Sequence, residues 1–519
     1  MRPIFFLALT ACSEDAPTPP PAELIFVRNA VIAPAGATGQ TLPDGRVLVD
    51  HPWTPGQPVE LAGASGIAPR RAECLPLYHQ DLGDVQRLIA MGGSAPNTAL
   101  AWSPDGSKLA VGSYTGEVLV LDGWSGAVLA REGFAETMVK HVAWSPDGAT
   151  LYAAEQSPDA NLHALDPASL TPRWTQRLAD IVETTAAPSG EDIYGVYKLP
   201  AAYGLHVLDD GDLLVTALHS WPDADGVARN LSQVLRIRPS GEIAARWPAQ
   251  PAGATFKHPR VRGDQVAIVV NHTADAPPPA DLPVGGVQVL SLPDLIPVRA
   301  ATTPPLLPWF DHANIWEAVD LDAETGRLLL GFGDGRLRVV EPDGSDALSL
   351  STGAPIMAGD VPIHASIGWG LLHGDRAVFN TSGTHIPWGA ASPETRPPST
   401  HPSENTLWAM DMSGERAWSW SGGQEIQGLS LGMDGRHLVV GAGDRTTDDR
   451  KDLFGAMVFD LEGAPVRSGE DRLRAFCATE GPVFFRQAMS VDGRVAVAEH
   501  PFLDSEGAVQ GAYRVTVLR

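Results

Sequence analysis

Residues 100–130, LAWSPDGSKLAVGSYTGEVLVLDGWSGAVLA, are followed at 142–174 by a second copy of the same pattern, VAWSPDGATLYAAEQSPDANLHALDPASLTPRW. Each copy has an alternating apolar strand, an Asp-Gly turn, a second strand, a short loop and a third strand that ends in Asp. The copies recur at a spacing of about 40 residues, which is typical of propeller blades. The repeat therefore predicts a ring of blades, and it places any function in the loops over the central channel.

The turn of each copy is the most specific part of the pattern. It reads Trp102-Ser103-Pro104-Asp105-Gly106 in the first copy and Trp144-Ser145-Pro146-Asp147-Gly148 in the second. Both copies thereby resemble the WD-repeat and YVTN-type β-propeller families. The Trp-Asp dipeptide and the Gly-His pair of eukaryotic WD repeats are missing, so the resemblance implies a fold and no particular partner.

Weaker copies of the pattern continue to the end of the chain. We expect an all-β propeller of eight four-stranded blades, closed by N- and C-terminal strands over 85–519, or of seven blades if the fourth or sixth copy is divided differently. The final copy has three strands, and 85–91 is the expected fourth. Residues 24–84 predict a β segment packed on the ring, with a hairpin around 44–49. Helical periodicity is weak throughout, so helices should be few.

The first 23 residues predict export and lipidation. An apolar run precedes Cys12, and Leu9-Thr10-Ala11-Cys12 matches the bacterial lipobox, in which the cysteine is diacylated after cleavage. An ordinary signal peptide, cut elsewhere, is the alternative to a lipoprotein signal at 1–12. Ser13 indicates sorting to the outer membrane, on its periplasmic or cell-surface side, and 13–23 predict a Pro-rich tether.

Export would place the two remaining cysteines, Cys74 and Cys477, in an oxidising compartment. They are roughly 400 residues apart, but a closed ring brings the two ends of the chain together. We therefore expect a Cys74–Cys477 disulfide that stabilises the closure, with two buried free thiols as the alternative.

The charge of the chain limits its partners. The formal net charge is -25 at pH 7, which would repel nucleic acid and anionic lipid headgroups. We expect no nucleic-acid binding, contact with a membrane only through the lipid anchor, and a monomer.

The connections between second and third strands are the long ones, whereas most others are tight Asp-Gly turns. Long loops on a rigid ring usually carry binding function, so the loop-rich face is the predicted binding face; tolerated insertions are the alternative. Five blades have such loops, at 219–233, 272–286, 380–405, 442–455 and 499–512.

Nine of the 15 histidines map to the same face. They end second strands, lie at or just before first strands near the channel mouth, or occupy the sixth blade's loop. Imidazole binds copper, iron and zinc, so a metal or haem at the mouth is an alternative cofactor, but no HxxH, HExxH or CxxCH spacing occurs. The histidines that end second strands are His219, His272 and His500. Those at or just before first strands are His141, His258, His312 and His364, and those in the sixth blade's loop are His385 and His401.

Three cations lie beside the same first strands: Lys140, Lys257 and Arg486. On an acidic protein, a basic cluster at the channel mouth would focus the local field and select a small anionic ligand or an acidic side chain of a protein partner. Ordinary pairing of these cations with Asp or Glu is the alternative.

Acidic loops offer weaker candidates for calcium. They lie at Asp223-Ala224-Asp225-Gly226 and at Asp444, Asp448, Asp449 and Asp452, and neither matches the EF-hand pattern. Solvated acidic loops are the simpler interpretation.

The sequence has no Gly-rich phosphate loop. The predicted function is therefore a non-enzymatic, exported propeller lipoprotein that binds a protein partner or small ligand on its loop-rich face, without a cofactor. The alternatives are a metal- or haem-dependent redox protein, or a hydrolase or sulfotransferase, that uses the channel-mouth histidines.

Overall fold

The fold is all-β, with short helical turns between some strands. The structure is a computed structural model, and it describes residues 25–27, 30–33, 40–41, 47–50, 59–60, 76–90, 97–135, 137–186, 195–223, 228–271, 282–283, 286–302, 315, 317–358, 361–384, 401–421, 425–443, 454–462, 473–504 and 506–519.

The N-terminal strands form a small antiparallel sheet of their own, in the order β1-β2-β4-β3. The sequence predicted a hairpin here, and the structure has four strands. Next along the chain is a two-residue strand, β5, which pairs in parallel with the strand Asp346–Ser351. The elements are β1 Ile25–Val27, β2 Ala30–Ala33, β3 Gln40–Thr41, β4 Val47–Asp50, β5 Val59–Glu60, β6 Pro76–Asp81 and the helix α1 Gln86–Ala90.

The strands that follow group into four-stranded antiparallel units, each running from an inner strand to an outer one. Unit 1 contains β7 Ala99–Trp102, β8 Lys108–Gly112, β9 Glu117–Asp122 and β10 Val128–Gly133, and unit 2 contains β11 Met138–Trp144, β12 Leu151–Gln156, β13 Asn161–Leu165 and β14 Pro172–Arg177. The helix α2 Ala179–Val182 and a 3-10 turn at Gly195–Lys198 follow unit 2. Unit 3 contains β15 Ala201–Val207, β16 Leu213–Pro222, β17 Ala228–Ile237 and β18 Ile243–Ala252, and unit 4 contains β19 Thr255–Arg262, β20 Gln265–Asn271, β21 Gly286–Ser291 and β22 Ile296–Thr302.

The later units keep the same order, with two small hairpins inserted. Unit 5 contains β23 Glu317–Leu321, β24 Leu328–Gly331, β25 Arg336–Val340 and β26 Asp346–Ser351; the hairpin β27 Ile356–Ala358 and β28 Val361–Ile363 follows; unit 6 contains β29 Ala365–Leu372, β30 Arg376–Thr384, β31 Thr406–Asp411 and β32 Arg416–Ser421; unit 7 contains β33 Ile426–Leu431, β34 His437–Ala442, β35 Gly455–Asp460 and β36 Leu473–Ala478; unit 8 contains β37 Val483–Met489, β38 Val495–Glu499, the hairpin β39 Phe502–Leu503 and β40 Val509–Gln510, and β41 Arg514–Leu518.

The repeated turn works through its Asp and Gly. In unit 1, the Gly106 N–H donates to the Ser103 carbonyl at 2.8 Å, and Asp105 Oδ1 accepts the Ser107 N–H at 3.0 Å. Gly106 has a φ of 69°, a conformation that favours glycine. Gly148 in unit 2 has a φ of 68° and the equivalent bond to Ser145. The repeated motif therefore fixes the first turn of units 1 and 2.

Neighbouring units are held together by apolar side chains packed between their sheets. Leu109 and Val111 of unit 1 pack with Val515 and Val517 of unit 8 in one such core, and comparable cores lie between other units. Burial of this apolar area is the main source of stability for a sheet-on-sheet packing.

The last unit is completed by a strand from the other end of the chain. β6 pairs antiparallel with β41, from Arg514 opposite Asp81 to Leu518 opposite Pro76. N- and C-terminal strands thus share one sheet, as expected, but the prediction that 85–91 supplies the fourth strand is wrong. The helix α1 forms there instead; Ile89 within it is buried, as are Leu82 and Val85 just before it.

Cys477 lies on β36, the outer strand of unit 7, where it is buried and disulfide-bonded. Cys12 and Cys74 lie outside the described residues, so the pairing of Cys477 with Cys74 stays a prediction. The predicted signal peptide and tether also lie outside the described residues. In the part of the chain that the structure describes, no helix has the length and apolar character needed to cross a membrane.

Arg494 joins unit 8 to unit 1 on the face of the ring that carries the Asp-Gly turns. Its side chain is fully buried and donates to the carbonyl oxygens of Gly123 and, at 2.6 Å, Gly106. The guanidinium lies 4.7 Å from the Trp102 ring centroid and 4.1 Å from that of Trp124. One side chain therefore links the last unit to two turns of the first.

We predict that Arg494→Ala lowers the free energy of unfolding by about 3 kcal/mol, because two acceptors lose a charged donor and the stacked arginine is removed. Urea unfolding, followed by tryptophan fluorescence, measures the change. Arg173→Ala is the control, since Arg173 makes a solvent-exposed pair with Asp166 and its loss should change stability by less than about 1 kcal/mol. Equal effects of the two substitutions would contradict a closing role for Arg494.

Candidate functional site

The inner strands bulge where several predicted site residues lie. Register shifts leave Lys140 as an extra residue on β11 and Tyr203 as an extra residue on β15. Similar shifts fall next to Lys257 on β19 and at Arg486 on β37. Bulges turn a side chain away from its regular direction, and they are common beside functional sites.

Two of these bulges contain strained backbone. His258 has a φ of 50°, and Phe485, which precedes Arg486, has a φ of 61°. Both angles lie in the left-handed region, which is unfavourable for residues other than glycine. The strain is local to the inner strands of units 4 and 8, next to the cationic side chains.

Glu317, the first residue of β23, connects three units through its carboxylate. Its Oε2 lies 3.4 Å from Arg486 Nη1 of unit 8 and 3.8 Å from Arg260 Nη2 of unit 4. Its Oε1 lies 3.8 Å from His258 Nδ1. Residues far apart in sequence therefore converge on one carboxylate.

The lysines lie around Tyr203. Lys140 Nζ is 3.4 Å from the centroid of the Tyr203 ring, and Lys257 Nζ is 5.5 Å from it, so both amines are within cation–π range. Lys140 also donates to Gln156 Oε1 at 2.9 Å. Gln156 donates in turn to the Tyr203 hydroxyl at 3.2 Å. This contact places the site by the loop-rich end of the strands, because Gln156 ends the second strand of unit 2.

These two groups of residues form one electrostatic site, which we call the channel cluster. Burial lowers the pKa of Lys140 well below its usual value, and the charges of Lys257 and Arg486 lower it further. The cluster consists of Lys140, His141, Tyr203, Lys257, His258, Arg260, Glu317 and Arg486.

Burial would raise the pKa of Glu317, but Arg486 and its other neighbours outweigh it and lower that pKa to about 2. Burial lowers the pKa of His258 to about 3, against the attraction of Glu317. The pKa of His141 is lowered by burial and by Arg486. At neutral pH the cluster therefore holds neutral imidazoles, one carboxylate and an excess of basic groups.

The cluster is partly exposed to solvent. The side chains of Arg260 and Arg486 are each 31% exposed, and that of Glu317 is 16% exposed, whereas Lys140 is buried. The two arginines can therefore contact a ligand directly, whereas the buried Lys140 would act on a ligand through its charge.

The structure thus brings together Lys140, His141, Lys257, His258 and Arg486, as their positions at the starts of inner strands predicted. Tyr203, Arg260 and Glu317 were missed. They belong to weak copies of the repeat, and aligning the copies by their inner strands would have pointed to Tyr203 and Glu317.

Other predicted residues lie outside this cluster. His219 donates from Nδ1 to the Val182 carbonyl at 3.0 Å and stacks on Trp221. His364 is buried near Asp334, and burial lowers its pKa. His401 contacts the Ala354 carbonyl at 3.1 Å. His272, His312 and His385 are outside the described residues.

In the described part of the chain, no three His, Cys, Asp or Glu side chains come close enough to share a metal ion. In the first acidic loop, Asp223 pairs with Arg229 at 2.7 Å. The carboxylates of Asp225, Asp444, Asp448, Asp449 and Asp452 are outside the described residues.

The comparisons with known proteins support the fold. The chain is similar to the C-terminal WD40 domain of Sif2, with 13% identity and a TM-score of 0.51, covering 86% of this chain and 97% of that one. It is also similar to the Dos1 propeller, with 12% identity and a TM-score of 0.52, covering 86% and 95%. No protein-family model matches the sequence. No curated protein matches it either. The chain therefore has a WD40-like β-propeller fold.

His500 occupies an apolar environment. Its ring is fully buried and lies 5.7 Å from both the Phe484 and the Tyr513 rings. Neither ring nitrogen has a hydrogen-bond partner among the described residues, and burial lowers the pKa of His500 to about 3.

We predict that His500→Phe makes stability less dependent on pH. In the unfolded chain His500 takes up a proton as the pH falls below 6.5, but in the folded protein it does so only near 3. Its contribution to stability is therefore complete above pH 6.5 and declines as the pH falls towards 3. Chemical denaturation from pH 7 to 4 should show a smaller decline for the variant, by roughly 3 kcal/mol at pH 4. Parallel curves would show that His500 is not held neutral.

Proposed function

We propose that this protein is a non-enzymatic propeller that binds an anionic group at the channel cluster, either a small anionic ligand or an acidic side chain of a protein partner. The observation that carries the proposal is a group of four basic side chains with one carboxylate among them: Arg260 and Arg486 pair with Glu317, and Lys140 and Lys257 lie over the Tyr203 ring. The alternative, in which the cations only pair with acidic neighbours, accounts for only part of the positive charge in the cluster.

An uncompensated group of cations is unfavourable in an enclosed site, because desolvation penalises each charge and like charges repel. Lys140, Lys257 and Arg486 lie close enough for the pKa of Lys140 to respond to the other two. An anion that enters the site would relieve both penalties. Arginine is also well suited to the task, since its planar donors match the oxygens of carboxylate and phosphate groups.

The loop-rich face is the proposed route to the cluster. Gln156 and Lys140 meet at the end of the strands where second-to-third connections begin. β20 ends at Asn271 and β30 ends at Thr384, so the long connections to Gly286 and to Thr406 begin at this end of the strands. Such loops can screen ligands while the ring keeps the basic groups fixed.

We further propose that the ring has eight blades, corresponding to units 1 to 8. In support, the inner strand of each unit contacts the inner strand of the next along the chain, and β37 of unit 8 contacts β7 of unit 1. A Cys74–Cys477 disulfide would attach the N-terminal strand of unit 8 to unit 7. β6 begins two residues after Cys74, and Cys477 lies on β36 of unit 7.

Export to the outer membrane as a lipoprotein is part of the proposal and depends on the lipobox at Leu9-Thr10-Ala11-Cys12. The net charge of -25 is consistent with a monomer that touches the membrane only through its lipid.

Anion binding is tested by charge reversal. We expect at least one of phosphate, sulfate, citrate or an Asp-Glu hexapeptide to bind the wild type in isothermal titration calorimetry at low ionic strength. Lys257→Glu and Arg486→Glu should each weaken that binding by tenfold or more, because a charged hydrogen-bond donor is replaced by a repelling group. The unfolding midpoint of Lys257→Glu should stay unchanged or rise, since charge repulsion in the cluster falls, and this variant therefore separates loss of binding from loss of folding.

Arg173→Glu, which reverses a charge on the outer surface, is the matched control and should bind as the wild type does. Absence of binding by the whole panel would contradict the proposed function, as would equal losses in the control and in the cluster variants.

Lipidation is tested by Cys12→Ser in a bacterial host that has the lipoprotein pathway. The wild type should incorporate radiolabelled palmitate and fractionate with membranes, whereas the variant should do neither, because the acyl chains attach to the cysteine. A wild-type protein that takes up no label would rule out the lipobox interpretation.

A further inference from the structure

The channel cluster has more positive than negative groups, even after its internal pairing is counted. Lys140, Lys257, Arg260 and Arg486 are basic, and Glu317 is the one acidic member of the cluster. With both lysines protonated, three positive charges remain without a partner in the cluster. A single bound monoanion would leave two of them.

The contacts of Glu317 are loose. Its carboxylate is 3.4 Å from Arg486 and 3.8 Å from Arg260, which is longer than the usual charge-assisted hydrogen bond. Arg486 donates to Glu317 through Nη1, and its remaining N–H groups have no acceptor in the described residues. Arg260 uses its Nε on the Val319 carbonyl at 3.2 Å, so its outer nitrogens also remain available.

One further polar atom lacks a partner at the same place. The Nε2 atom of His141 is buried without a hydrogen bond in the described part of the chain. Buried polar atoms are rarely left unpaired, so this nitrogen also points to a missing ligand. Nearby, the Lys257 amine lies 5.5 Å from the centroid of the Tyr203 ring.

We infer that the channel cluster selects a compact oxyanion with at least two negative charges, such as a phosphate, a sulfate or a dicarboxylate, and that Glu317 is an internal counterion with which this ligand competes. This inference rests on the proposed function, and it adds the charge class of the ligand and a role for Glu317. When no ligand is bound, Glu317 partly neutralises the charge of the arginines. A monoanion would therefore gain too little interaction energy to displace the Glu317 carboxylate. A dianion neutralises the arginines and the lysines together.

Binding should also take up protons. Burial and neighbouring cations lower the pKa of Lys140, and burial lowers the pKa of Lys257. A bound dianion opposes that effect and favours the protonated amines, so affinity should fall as the pH rises through the lowered lysine pKa values.

The test compares phosphate, succinate and acetate binding to the wild type and to Glu317→Gln by calorimetry at pH 8, where inorganic phosphate is mainly a dianion. The wild type should bind phosphate or succinate at least tenfold more tightly than acetate. Glu317→Gln should bind the favoured dianion about tenfold more tightly than the wild type does, and acetate should gain at least as much. Glu317→Asp keeps the competing charge and should bind the favoured dianion less tightly than Glu317→Gln does.

Glu117→Gln is the matched control, because Glu117 pairs with Arg131 at 2.6 Å on the outer part of unit 1, and it should change no affinity. Weaker dianion binding by Glu317→Gln would show that Glu317 positions the arginines, and equal binding of acetate and phosphate by the wild type would remove the charge selection. Either result overturns this inference while anion binding stands. If none of the three anions binds any of the folded variants, as judged by their unfolding midpoints, both the inference and small-anion binding fail.

Discussion

Like-charge repulsion among the basic side chains of the central channel is the constraint on which the rest of the site depends. Lys140, Lys257 and Arg486 come from three different units, and the pKa of Lys140 is lowered by the other two after burial. Two neighbouring groups moderate the repulsion: Glu317 attracts the arginines, and the Tyr203 ring lies beneath the amines. Neither removes the excess of positive charge, which is why we propose that an anion enters the site.

The propeller can hold such an arrangement because its stability comes from elsewhere. Apolar cores between adjacent sheets and the shared sheet of β6 and β41 fix the inner strands. Arg494 fastens unit 8 to unit 1 at the opposite end of the strands. The inner strands can therefore contain bulges and left-handed residues such as His258 without losing their positions. The scaffold supplies rigidity, and the bulges direct the cations.

The sequence predicted the parts of this structure that depend on local chemistry. The Asp-Gly turns gave the fold class, and position within the repeat brought Lys140, Lys257 and Arg486 together. Tyr203 and Glu317 were missed because they belong to weak copies of the repeat and because their contacts join units that are distant in sequence. Position alone also failed to separate the histidines: His258 faces Glu317, whereas His500 lies between aromatic rings. The short helix at 86–90 was mistaken for a strand, because it spans too few residues to show its period.

The most direct measurement of the central claim is a crystal structure of the protein grown with selenate, a divalent oxyanion whose selenium gives an anomalous signal. The account predicts an anomalous peak between Arg260, Arg486 and Lys257, with the Glu317 carboxylate moved away from Arg486. Peaks confined to the outer surface of the ring, together with an intact Arg486–Glu317 pair, would contradict it.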